Sequence, residues 1–381
     1  MTPDVPAVFL AAIALFFLAK FHFQNSNRSD LLWAGVFIGL SIGMKYNFAL
    51  MLVPLWVISL TDRNRKFPQR ILLAIVSSGC ATLVFLLTNP FIVLDYSTFS
   101  FQFYEISRHL REGHIGMESG AHPSLDLIHH LGKNSGMLFT ATAILGIFTS
   151  ARRNLPWAMA LLCFPIILIA SHGRWPVTAD RYAVPLVLFI LIYSADFLGF
   201  LLSKGKRFAV ISFIIAGLIT VQFLSFSLPI IIANTKPDTR EVARKWIETN
   251  IHADTKIGIE KDGPTLQHSA SKYKREPAYY YFDILPWFST SYRGDDPLKL
   301  ILENKPEYVI TNSVVFSRYE PGSPSEKQFP DVFKVWRRYY NALDKYGKVV
   351  LEVKPDKKTT GPIVLIYKIP KDLYASFELQ Q

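Results

Sequence analysis

Cysteine is nearly absent: Cys80 and Cys163 are the only two among 381 residues, and both fall inside apolar segments. That excludes a disulfide framework and a cysteine zinc site. The N-terminus lacks a basic leader, since Met1-Thr2-Pro3-Asp4 precedes the first apolar run, and so does not read as a cleaved signal peptide. Charge is also scarce where it would be informative. Between Leu31 and Thr61 the sole charged residue is Lys45. An unpaired ammonium at a bilayer centre costs at least a few kcal/mol, so Lys45 either sits at a turn on the membrane surface or meets an anion in a protected cavity.

What is present points to a membrane. Half of the residues are hydrophobic, 14% are aromatic, and the mean hydropathy is +0.22. Apolar runs fill Val5 to Ile232, whereas residues 233–381 are polar and have no run long enough to span. The expected organisation is therefore a transmembrane region, 1–232, and a soluble α/β domain, 233–381. The formal net charge of +11 fits short basic cytoplasmic loops and needs no nucleic acid.

Eight spans are expected: Val5–Phe21, Leu31–Met44, Asn47–Leu60, Ile71–Leu87, Ile128–Ser150, Leu155–Ala170, Ala183–Leu202 and Phe208–Ile232. The two flanking Lys45 are short, about 21 Å of helix each against a core of about 30 Å, so one long tilted helix is the competing reading. Lys and Arg counts favour a turn. A turn at Lys45 puts eleven on one face and six on the other, while a single helix leaves nine against seven. Either way the external loop 88–127, the 171–182 loop and the C-terminal domain share the non-cytoplasmic face. Within the long loop, Phe99, Phe103, Ile106 and Leu110 recur at helical spacing, which predicts an amphipathic helix in the interface plane.

In the tail, Asp238 with Glu241 three residues on predicts a capped helix. Strands are expected at Lys256–Glu260, Tyr308–Asn312, Lys348–Val353 and Pro362–Ile369, with helices near Pro297–Glu303 and Asp331–Tyr346. The tail contains no glycine-rich phosphate loop, HExxH pair or nucleophile elbow.

Polar residues at the non-cytoplasmic ends of the spans are Asp4, Lys45, Tyr46, Asn89, Asp95, Glu105, Arg108, His114, His172, Arg174, Arg181 and Tyr182. Lys45, Arg174 and Arg181 would suit a phosphate held at the membrane surface. The plainer reading is arginines snorkelling to lipid headgroups. His109, His114, His122, His129, His130 and His172, with Glu105, Glu112 and Glu118, leave a divalent metal open, although their spacing fits no ligand pattern. No cofactor is otherwise indicated.

At these residues a resemblance emerges. Gly39-Leu40-Ser41-Ile42-Gly43-Met44-Lys45-Tyr46, Thr88-Asn89-Pro90-Phe91 followed by Asp95, the Glu105–His109 stretch ending at Gly113-His114, Arg181-Tyr182-Ala183-Val184-Pro185 and the closing Tyr340–Gly347 resemble glycosyltransferase family 39. These are GT-C superfamily enzymes, relatives of dolichyl-phosphate-mannose protein mannosyltransferases and of the lipid A aminoarabinose transferase. The resemblance implies a multi-pass cell-membrane hexosyltransferase. It would move a mannose-like sugar from a polyprenyl-phosphate donor to a hydroxyl of a protein, lipid or glycan acceptor on the outer membrane face.

It further implies that Lys45, Arg174 and Arg181 contact phosphate and that Trp175 and Tyr182 stack on sugar or prenyl groups. Tyr46, Asn89, Glu105, Arg108 and His114 would complete the substrate site, and Asp4 and Asp95 are the candidate catalytic carboxylates. Family members carry an acidic residue or pair in a first external loop that precedes the part matched here. The chain is thus expected to lack the N-terminal part, and a non-catalytic protein that binds lipid phosphate or a partner through its outer domain is the alternative.

Overall fold

The computed structural model describes residues 3–24, 27–117, 122–177, 179–271, 277–287, 294–371 and 374. The chain divides into two compact units, Met1–Arg111 with Ser119–Phe226, and Glu112–Glu118 with Ser227–Gln381.

The first unit is helical: α1 (Asp4–Phe23), α2 (Arg28–Met44), a 3-10 turn (Tyr46–Met51), α3 (Leu52–Leu60), α4 (Phe67–Thr88), α5 (Phe91–Leu94), α6 (Tyr96–Glu112), α7 (Pro123–Ser135), α8 (Met137–Arg153), α9 (Leu155–His172), a second 3-10 turn (Asp180–Ala183), α10 (Val184–Leu202) and α11 (Lys206–Asn234). Among the described residues five helical segments are long and apolar enough to cross a bilayer: α1, α4, α9, Asp180–Leu202 and α11. α2 and α8 have 17 residues each, roughly 25 Å, just short of the core thickness.

Small residues set the packing. The α2 glycines Gly35 and Gly39 lie against α4, where a Cβ would stand 2.4 Å from the Ser77 carbonyl oxygen and 2.3 Å from that of Ala81. Gly146 of α8 lies equally close to α10, 1.9 Å from the Tyr193 carbonyl oxygen by the same measure. Lipid tails are as apolar as leucine, so contact between helices gains little from the hydrophobic effect and depends on such backbone approach.

One expected span is two helices. The apolar run Ile128–Ser150 breaks at Gly136, whose φ of +83° ends α7 and starts α8. α6 forms over the predicted amphipathic stretch, with Phe103 and Ile106 exposed.

The second unit holds a five-stranded sheet in the order β2-β1-β3-β5-β4. Its strands are β1 (Lys256–Glu260), β2 (Tyr280–Ile284), β3 (Tyr308–Asn312), β4 (Lys348–Val353) and β5 (Val364–Lys368). β1, β2 and β3 run parallel, and β5 is antiparallel to both β3 and β4. Its helices are α12 (Thr239–Asn250), α13 (Pro297–Asn304), α14 (Ser313–Phe316), α15 (Pro324–Gln328) and α16 (Pro330–Tyr346). Strand alternation divides the core. Ile257, Ile310 and Ile366 pack with Ala243 and Ile247 of α12, whereas Val309 and Tyr367 pack with Phe333, Trp336 and Tyr339 of α16. Asp238 caps α12 as expected, accepting from Arg240 N, but Glu241 pairs with Arg244 instead of closing a capping box.

Candidate functional site

Lys45 terminates α2. Its backbone is extended, φ −155° and ψ 118°, and its N–H closes the helix on the Ser41 carbonyl before the 3-10 turn begins at Tyr46. The break excludes the single tilted helix and brings the ammonium to the N-terminal end of α1, where it bonds the Asp4 carboxylate. Asp4 is nearly buried, so its charge requires a partner, and Lys45 supplies one.

Residues distant in sequence complete the cluster. The Lys45 ammonium lies 5.6 Å from the centroid of the Tyr182 ring, as does the Arg181 guanidinium, so two cations attend one aromatic ring. His172, the last residue of α9, lies 5.4 Å from Tyr182 and 4.5 Å from Trp175, centroid to centroid. One residue before Arg181, Asp180 pairs with His130 of α7 at 2.5 Å. Four segments therefore meet at one end of the helical unit: α1, the α2 break, the end of α9 and the turn before α10.

The opposite end is tied by other pairs. Lys20 bonds Asp30 at 2.9 Å, Arg65 bonds Asp62, and Arg70 donates to the Leu60 carbonyl at 3.0 Å.

The remaining candidates fall around this core. Tyr46 packs edge-on against Phe85 and Phe99, with Phe103 6.3 Å away, which seats α6 beside the break. The Asn89 side chain donates to the Phe85 carbonyl and lies against Gly43, where a Cβ would stand 2.8 Å from its nitrogen. Asp95 instead serves its own helix: its carboxylate accepts from Ser97 Oγ and Thr98 N at the start of α6, and the Thr98 and Ser97 bonds hold its carboxyl below the usual carboxylate range. Glu105 and Arg108 pair with each other at 2.5 Å, one turn apart on α6. Arg174 is exposed and has no acidic partner among the described residues. His114 lies in the Glu112–Glu118 segment that belongs to the other unit, so the two units divide the twelve candidates.

Among the described residues no group of three or more His, Cys, Asp or Glu side chains could hold a metal ion. Glu118, one of the acidic residues considered for a metal, lies outside the described residues.

A helical unit with several helices long and apolar enough to cross a bilayer and a charged, aromatic-lined cluster at one end, followed in the chain by a small mixed-sheet domain, defines the class: a polytopic membrane protein. Residues 1–93 match the family model of dolichyl-phosphate-mannose-protein mannosyltransferases, so this N-terminal stretch is similar to that family of membrane glycosyltransferases. The matched segment contains Asp4, Lys45, Tyr46 and Asn89 and stops short of Arg174, Arg181 and Tyr182. No curated protein and no solved structure matches the chain.

Proposed function

We propose that the chain transfers a hexose from a polyprenyl-phosphate donor to an acceptor hydroxyl on the outer face of the membrane. The observation that carries this reading is the Lys45–Asp4 pair meeting Tyr182 and Arg181 at one end of the helical unit. A prenyl phosphate anchored in the bilayer presents its anion at the depth where a helix ends. Lys45 and Arg181, with Arg174 nearby in sequence, supply fixed positive charge for the negative charge that grows on the leaving phosphate. Tyr182 and Trp175 offer apolar faces to the sugar or the first isoprene unit.

In the transfer step the acceptor oxygen bonds to the anomeric carbon while the carbon–oxygen bond to phosphate breaks. The phosphate leaves with the electron pair, and the hydroxyl proton passes to a carboxylate. Asp4, the carboxylate paired with Lys45, takes that role. Phosphate competes with it for Lys45, and a displaced Asp4 becomes a free acceptor. The basic residues at the Lys20, Arg65 and Arg70 end support assigning that end to the cytoplasmic side and the cluster to the outer face. The C-terminal domain then follows α11 on that same outer side, where it would meet the acceptor.

The test is binding of a short-chain polyprenyl phosphate to the purified full chain in detergent, followed by native mass spectrometry. Wild type is expected to hold the lipid and Lys45→Ala to lose at least about tenfold in affinity, the worth of one charged contact. Equal affinity in the two proteins overturns the phosphate assignment.

A further inference from the structure

His172 has a role that charge counting alone does not assign. It is the last residue of α9 and is 7% exposed. Its Nδ1 lies 3.0 Å from the Leu168 carbonyl oxygen. A carbonyl only accepts, so Nδ1 carries the hydrogen, and in the neutral ring Nε2 is a bare lone pair. Among the described residues Nε2 has no hydrogen-bond partner. The ring is wedged between Trp175 and Tyr182, and the Lys45 charge acts on it through space. A buried ring with one nitrogen fixed to backbone and the other open, next to a cation, is poised to change protonation when an anion arrives.

Resting on the lipid-phosphate reading above, we propose that His172 contacts the phosphate directly and enters the complex as an imidazolium, taking up a proton at Nε2 as the anion docks. Before binding, Lys45 is already paired with Asp4, whereas Arg181, like Arg174, has no carboxylate partner among the described residues. A phosphodiester brings one negative charge, and the phosphomonoester left after transfer carries close to two at neutral pH. An imidazolium at Nε2 gives the bound anion a charge-assisted hydrogen bond and supplies a second positive charge for the phosphomonoester left after transfer, while Nδ1–H stays on Leu168. Selectivity follows: a neutral headgroup cannot recruit the proton and forgoes that bond.

The charged and titratable groups facing His172 or reaching it through one neighbour are Lys45 from the α2 break, Tyr182 and Arg181 from the turn before α10, and Asp4 from α1 through Lys45. The His130–Asp180 pair lies one step further out.

Calorimetry on the full chain in detergent decides the matter, using a short-chain prenyl-phosphate hexose. This diester has no titration between pH 5 and 9, so any proton exchanged comes from the protein. Titrations at pH 7.5 in two buffers of different ionisation enthalpy give the protons taken up on binding. The expected result is uptake approaching about one proton in wild type. In His172→Phe, which keeps a ring against Trp175 and Tyr182, uptake falls to near zero and affinity drops about tenfold. Equal uptake in the two proteins, or none in wild type that binds, overturns the role of His172 and leaves the phosphate reading standing. A wild type that does not bind the diester overturns that reading, and this inference with it.

Discussion

The Asp4 carboxylate is the bonding partner of the Lys45 ammonium, across 41 residues of sequence. One ion pair thus ties the start of α1 to the end of α2 and makes the position of Lys45 a property of the fold. Breaking a nearly buried pair from one side strands the other charge. Lys45→Ala is therefore expected to lower stability by about 3–5 kcal/mol, and the double variant Asp4→Asn with Lys45→Met to recover most of it. Thermal unfolding in detergent reads the stability, and lipid binding by the double variant stays lost because the cation is gone. A double variant as unstable as Lys45→Ala would show that the pair contributes more than mutual neutralisation.

Helix contact through glycine makes a second prediction. Gly39→Leu must push α2 off the Ala81 carbonyl of α4 and is expected to cost upwards of about 1–3 kcal/mol. Gly79 on α4 is the control, since a Cβ there meets nothing within 4 Å. Gly79→Ala is expected to be neutral or stabilising by up to about 1 kcal/mol, because alanine is the better helix former. Melting temperatures of the two variants in one detergent check the contrast.

In the sheet domain, Glu260 is fully buried at the carboxyl end of β1. Asn312 N donates to one carboxylate oxygen at 2.9 Å and the Tyr340 hydroxyl donates to the other at 2.8 Å. Burial outweighs these bonds and pushes its carboxyl up to about 8. The unfolded chain ionises this group near pH 4.5, so between there and about 8 the native state binds the extra proton. Stability from Glu260 is complete below about pH 4.5 and is lost as pH rises towards about 8, with a slope of up to about 1.4 kcal/mol per pH unit. Glu260→Gln, in which the Tyr340 hydroxyl can turn to accept from the new amide, is expected to remove that slope. Denaturation midpoints from pH 5 to 8.5 measure it.

Much of this architecture is legible in the sequence, for reasons that can be named. A lone charge in an apolar run signals the break at Lys45, and alternating β-branched and aromatic residues mark β1, β3, β4 and β5. The partner of Lys45 is not legible, because nothing local connects Asp4 to a residue 41 positions on. β2 escapes as well, since Tyr280–Ile284 reads Tyr-Tyr-Phe-Asp-Ile, an aromatic run without strict apolar–polar alternation. The Gly136 break is hidden because glycine is common in membrane helices, and only its positive φ separates a kink from a stop. His172 is visible as a histidine near a helix end; its fixed tautomer and its aromatic neighbours exist only in the fold.

The two candidate carboxylates separate on the same physical grounds. Asp95 is solvent-exposed and its bonds go to Ser97 and Thr98, so Asp95→Ala is expected to fray the first turn of α6 and leave turnover of a polyprenyl-phosphate hexose within about twofold of wild type. Asp4→Asn keeps the shape of its side chain and removes the charge that neutralises Lys45. As the proposed proton acceptor, its loss is expected to lower turnover by about 10²–10⁴-fold while lipid phosphate binds as well as before or better, because nothing then competes for Lys45. Hydrogen exchange over Tyr96–Ser100 reads the first variant, and release of prenyl phosphate reads both. Strong loss of turnover in Asp95→Ala with intact protection of α6 would return Asp95 to the reacting centre and displace Asp4 from it.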